Sequence, residues 1–111
     1  MSVMLAVAPS WPAVISASAS LNLYRILQEA LDNVRKHSGA ENVEVTLNRD
    51  GERIVVRVRD DGRGMPESAP EGMGLRGMRE RAVLLGGELR VDGEAGRGTV
   101  VDALFQLEQL L

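Results

Sequence analysis

Residues 42–64 read NVEVTLNRDGERIVVRVRDDGRG. Val43, Val45 and Leu47 alternate with polar residues, the period of a half-buried strand. Ile54, Val56 and Val58 repeat that period after Asp50-Gly51, a pair that signals a tight hairpin turn. The two runs are therefore antiparallel neighbours in one sheet, which disfavours a doubly wound parallel fold. The second strand runs into Asp60-Asp61-Gly62-Arg63-Gly64, so carboxylates stand at its end.

Upstream, Ser20 to Ser38 has the pattern of an amphipathic helix. Leu23, Leu27, Ala30, Leu31 and Val34 make its apolar stripe, and Ser18 or Ser20 is the expected N-cap. Lys36 and His37 occupy the last turn, where cations suit the helix dipole, and Gly39 follows as the expected C-terminal cap. Val3 to Ala8 reads as a strand followed by a Pro/Ser loop. Downstream, Pro66, Ser68 and Pro70 mark a loop. Leu75, Met78, Ala82 and Leu85 mark a second amphipathic helix, ended by Gly86-Gly87. Glu88 to Asp92 is a short strand and Thr99 to Leu107 a final one, with the last residues frayed. The expected fold class is α+β: a two-layer α/β sandwich whose mixed, mostly antiparallel sheet carries both helices on one face, burying every apolar stripe. One domain spans 1–111, with 1–19 as strand and loop and 20–107 as the motif-bearing core.

The chain has 111 residues, enough for a single core. Aromatics are limited to Trp11, Tyr24 and Phe105, so that core is aliphatic. A net charge of −3 without a basic run argues against a nucleic-acid partner. The absence of cysteine excludes disulfide, zinc-thiolate and thiol-nucleophile chemistry. Residues 2–19 lack the basic start of a signal peptide, and Pro9 and Pro12 break the apolar run. No membrane contact by this segment is expected, and the expected location is cytoplasmic.

Four features carry chemistry. Glu29, Asn33 and Lys36, then His37, fall at spacings of four and three along the first helix and are expected on one face. Asn33 offers an amide oxygen suited to Mg²⁺, Lys36 can reach a phosphate, and Glu29 can hold a magnesium-bound water or orient Asn33. Alone, such a row reads more readily as a solvated helix face, because polar rows at this spacing are common. Asp60 at a strand end can accept a hydrogen bond from the exocyclic amine of a purine, although Asp-Gly strings also make ordinary turns. Gly72, Gly74 and Gly77 open the second helix, where backbone N–H groups can approach phosphate oxygens. A lone G-x-G-x-x-G is weak, and here it does not follow the first strand of a βαβ unit, against a dinucleotide fingerprint. Gly96-Arg97-Gly98-Thr99 is a turn with a hydroxyl at its exit.

In combination and in this order, the four features resemble the ATP-binding domain of two-component sensor histidine kinases, of the GHKL (Bergerat) superfamily shared with gyrase, Hsp90 and MutL. LYRILQEALDNVRKHSGA, Leu23 to Ala40, resembles the N box of the nitrate/nitrite-sensor subgroup, and GMGLRGMRERA, Gly72 to Ala82, resembles that subgroup's short lid and the helix after it. The resemblance runs from Ser20 to Leu107. It implies Mg²⁺ and ATP as ligands, with Asn33 as the magnesium-binding Asn and Glu29 and Lys36 as the box's Glu and Lys. It implies Asp60 as the adenine-binding Asp, flanked by Gly62, Gly64 and Met65. Gly72, Gly74, Leu75 and Gly77 become lid residues and Thr99 a residue near the adenine. His37 fits an aromatic-or-His position, and Asp61 falls on a variable one. The implied activity is delivery of the γ-phosphoryl group to a histidine on a separate helical-hairpin domain of the kinase dimer, with a response regulator downstream. His37, at the end of a core helix, reads as a helix-terminal or site-wall histidine and not that acceptor. Anti-sigma-type serine kinases and gyrase-like clamp ATPases share the fold. The subgroup-like string at Leu23 to Ala40 disfavours the first, and the short lid the second.

Overall fold

The computed structural model describes residues 1–64, 75–93 and 96–111. Among them the order is β1 (Ser2–Val7), α1 (Ala17–Asn33), a π-helical turn (Val34–Ser38), β2 (Asn42–Asp50), β3 (Arg53–Asp60), α2 (Leu75–Leu84), β4 (Glu88–Gly93), β5 (Thr99–Gln106) and a 3-10 turn (Leu107–Leu110). The strands form one five-stranded sheet ordered β1-β2-β3-β5-β4. β1 pairs parallel with β2, and the remaining neighbours are antiparallel. Val45, Val58 and Val101 lie in register across β2, β3 and β5, and Val56, Ala103 and Leu89 across β3, β5 and β4. This one face packs with Leu23, Ile26 and Ala30 of α1 and Met78 and Ala82 of α2, giving the expected two-layer α+β sandwich. The opposite face carries charge, including Arg57, whose Nε and Nη2 donate to Asp102 at 2.7 and 2.9 Å.

Several boundaries differ from expectation for local reasons. The N-cap of α1 is Ser16, whose hydroxyl accepts from Ala19 N–H at 3.0 Å; neither Ser18 nor Ser20 serves. The buried stripe of α1 centres on Ile26, 2% exposed, while Leu27 and Leu31 lie at its margin. In the β2–β3 hairpin Asp50 pairs with Arg53, so the two-residue loop is Gly51-Glu52, with φ 62° at Gly51. The chain end does not fray: Leu110 is fully buried, Ser16 N–H donates to its carbonyl at 2.8 Å, and Gln109 Nε2 donates to Gly86 O at 2.6 Å.

The apolar stripes are not all covered. Val3, Leu5 and Val7 sit opposite Val43, Val45 and Leu47, on the helix side, yet stay 48%, 62% and 50% exposed. The helices pack on one another, with α2 over β4, so the roof stops short of β1. A shallow apolar groove between Tyr24, Leu27 and Leu31 of α1 and Val3 and Leu5 of β1 results.

Candidate functional site

Asp60 closes β3 and Thr99 opens β5; they are register partners, and both are buried. On their helix-facing side the strands continue with Val58 and Val101. The far end of α1 is brought to this edge by the chain's return at Ser38. Ser38 Oγ donates to Val34 O at 2.8 Å and accepts from Ala40 N–H at 3.0 Å, while Gly39 turns with φ 66°. The Ser38 carbonyl in turn accepts from Arg63 N–H at 2.8 Å, stapling the loop after β3 to the helix end. Gly62 permits this approach, because a Cβ there would overlap the Ser38 carbonyl oxygen. Gly98 performs the same service on the other strand: its φ is 85°, and a Cβ would overlap the carbonyl oxygen of Asp60. Gly96 N–H donates to Arg63 O and ties in the β4–β5 hairpin.

These connections enclose one cleft. Asn33, His37, Asp60, Gly64, Leu75 and Thr99 line it, so six of the residues singled out by sequence converge. Asp60 is held from behind: its Oδ1 accepts from Gly62 N–H at 2.8 Å. The rest of the lining includes Ala30, Val34, Val58 and Val101, an aliphatic wall. These four were not anticipated as site residues, although a signal existed: Val58 and Val101 stand two residues from Asp60 and Thr99 on the same strand face, and Ala30 and Val34 flank Asn33.

The expectation that Glu29, Asn33 and Lys36 share one face fails in detail. Lys36 is exposed and is not among the residues lining the cleft, whereas His37 is. The cause is the π-helical turn at Val34–Ser38, whose wider turn rotates the following residues relative to an α-helix. His37, four residues on, thereby stays beside Asn33 and Lys36 does not. Glu29 is not among the lining residues either and stands against the start of α2, beside Gly77. A Cβ on Gly77 would stand 3.0 Å from Glu29 Oε2, so Gly77, one turn into α2, is a point of close helix approach. Met65, Gly72 and Gly74 lie outside the described residues. Asp61, adjacent to Asp60, faces away from the cleft: Oδ1 accepts from the N–H groups of Glu41 and Asn42 at 3.0 Å each, and Oδ2 from Asn42 Nδ2 at 2.9 Å. No group of three or more His, Asp or Glu residues that could hold a metal gathers among the described residues. Nor, among them, is any helix long and apolar enough to cross a membrane.

Residues 18–109 match the profile of the histidine kinase-, DNA gyrase B- and HSP90-like ATPases. The sensor histidine kinase LnrJ of Bacillus subtilis (strain 168) is 40% identical over 96 residues, which make up 86% of this chain and 24% of LnrJ. The oxygen sensor histidine kinase NreB of Staphylococcus carnosus (strain TM300) is 39% identical over 82 residues, 71% of this chain and 24% of NreB. Among solved structures, the blue-light activated histidine kinase of Erythrobacter litoralis EL346 superposes with a TM-score of 0.84 at 26% identity, covering 97% of this chain and 36% of that one. The chain thus spans about a quarter of the length of these two sequence relatives.

Proposed function

The chain belongs to the histidine kinase-, DNA gyrase B- and HSP90-like ATPase family, and from that premise we propose that it binds Mg·ATP in the cleft and presents the γ-phosphoryl group to a histidine on a separate helical-hairpin domain. The observation that carries this reading is the convergence of Asn33, His37, Asp60 and Thr99 on one cleft with an aliphatic wall. Val34, Val58 and Val101 offer apolar surface to a purine ring. Asp60, fixed by the Gly62 N–H, has a second carboxylate oxygen with which to accept from the adenine amine. Thr99, its cross-strand partner, adds a hydroxyl at the same end.

Asn33 marks the phosphate end. Its amide oxygen is a hard donor of the type magnesium takes, and Glu29, one helical turn earlier, has Oε2 buried with no hydrogen-bond partner among the described residues. Such an orphan acceptor would suit a water carried by a hydrated magnesium ion. A magnesium ion held there by Asn33, with Glu29 on one of its waters, would supply positive charge to offset that developing on the γ-phosphoryl group. Lys36, on the exposed side of the helix end, is assigned to phosphate contact by reach and charge. Gly64, Leu75 and Gly77 are assigned to nucleotide binding, as are Met65, Gly72 and Gly74, which lie outside the described residues. His37 forms site wall, and the attacking imidazole comes from the hairpin domain. A response regulator is the downstream partner, and the cytoplasm the compartment.

Calorimetry with a nonhydrolysable ATP analogue, with and without Mg²⁺, tests this. Asp60→Ala is expected to weaken binding about tenfold or more under both conditions, since it strips a buried acceptor from the base, worth about 1.4 kcal/mol per tenfold. Asn33→Ala is expected to remove only the magnesium-dependent gain. Wild-type binding by both variants overturns the site.

A further inference from the structure

Arg81 of α2 reaches across to α1, where it hydrogen-bonds one polar residue and comes within ion-pair range of another. Its Nε stands 4.0 Å from Glu29 Oε1, and its Nη1 donates to Asn22 Oδ1 at 3.4 Å. Asn22 is a firm anchor: it is 5% exposed, and its Nδ2 donates to the Ser18 carbonyl at 2.9 Å. Asn22 and Glu29 lie seven residues apart, two helical turns, so both face α2. Gly77 and Arg81 lie four apart and share the opposing face. Glu29 is thereby boxed between the guanidinium and the bare backbone of Gly77, with Oε2 buried and unpartnered among the described residues.

Stability does not account for this arrangement. The Arg81 and Glu29 side chains are 37% and 34% exposed, and their separation is at the limit of an ion pair. Half-exposed pairs of this kind contribute little to folding. Placement is what the contacts supply: a planar fork tethered to buried Asn22 sets where the Glu29 carboxylate stands, one turn from Asn33. We propose that Arg81 is a positioning residue for the phosphate end of the site. It fixes Glu29 against α2 and leaves Oε2 to accept from a water of the magnesium ion that arrives with the triphosphate. The inference rests on the nucleotide-site reading above. It also joins the two helices functionally, since α2 then helps to set a group on α1.

The test compares Arg81→Met, which keeps the aliphatic stem, with Arg81→Lys, which keeps the charge. In calorimetry with the ATP analogue, Arg81→Met is expected to lower the magnesium-dependent gain in affinity by about tenfold, the scale of losses when a ligand's orienting partner is removed. Metal-free affinity and the urea midpoint are expected to stay at wild-type values, and Arg81→Lys to recover most of the loss. A second readout needs no nucleotide: the amide resonance of Gly77, beside Glu29, is expected to move in Arg81→Met and in Glu29→Gln and to return in Arg81→Lys. Wild-type binding by Arg81→Met overturns the proposal. So does an equal loss with and without Mg²⁺ accompanied by a lowered urea midpoint, the mark of a merely structural residue. An unmoved Gly77 amide does the same. A wild-type chain that binds no nucleotide overturns the site reading instead, and the Gly77 amide then decides alone whether Arg81 places Glu29.

Discussion

Asp61 accepts hydrogen bonds from the backbone of Glu41 and Asn42 and from the Asn42 side chain, locking the start of β2 to the end of β3. Its neighbour Asp60 turns the other way, into the cleft. The alternation of a strand sends consecutive side chains to opposite sides, so two identical carboxylates acquire different work. The Asn42 backbone hydrogen bond, followed by that of the Asn42 side chain, holds the Asp61 carboxyl below its ordinary value of 3.8. A carboxyl depressed in the folded state stabilises the fold above its unfolded value and loses that contribution as pH falls through the folded value. Comparing urea midpoints of wild type and Asp61→Ala should therefore show a constant gap above pH 3.8 that closes below it. A gap that persists at the lowest pH would mean that lost packing, and not the charged acceptor, is responsible. Asp60 was legible from sequence because an Asp at a strand end before Gly-x-Gly has a chemical use. Asp61 was not, because its partners arrive from residues 41 and 42, which only the folded sheet brings alongside.

Among the elements, the 3-10 turn Leu107–Leu110 shows how a short segment becomes structural. Its length gives it little intrinsic stability, and by sequence it reads as a frayed end. Tertiary contacts reverse that: Leu107 N–H donates to Glu52 O at 2.7 Å, and Leu110 is buried completely in the core cluster. Leu110→Ala is expected to cost about 3 kcal/mol, the ordinary price of emptying a fully buried leucine site, measured by urea unfolding. A loss within about 0.5 kcal/mol, the range of exposed substitutions, would return the segment to the status of a tail. The π-helical turn at the end of α1 makes a related point. Spacings of four and three identify a helix and its chemistry-bearing residues, but a single wider turn leaves His37 on the cleft and takes Lys36 off it.

At the scale of the whole molecule, the proposed reaction needs an acceptor histidine other than the one in these 111 residues. The chain carries one histidine, His37, and it is spent on the wall of the cleft. Incubated with radiolabelled ATP, the 111-residue chain is expected to bind nucleotide yet acquire no phosphohistidine. Adding a helical-hairpin domain with an acceptor histidine is expected to produce label on the hairpin. Stoichiometric phosphohistidine on the chain alone would refute that division of labour. Hydrophobic periodicity, the hairpin turn and glycine-hinged motifs were enough to specify the class of fold and most of the cleft, because each depends on neighbours within a strand or helix turn. Asn33, Asp60 and Thr99 fall in that category. What only the tertiary structure decided were relations between distant segments: the roof that stops short of β1, the capture of Leu110, the diversion of Glu29 to α2 and its pairing with Arg81. Local pattern states which face of an element is apolar or polar. It does not state which other element meets that face, since that follows from packing the whole chain at once.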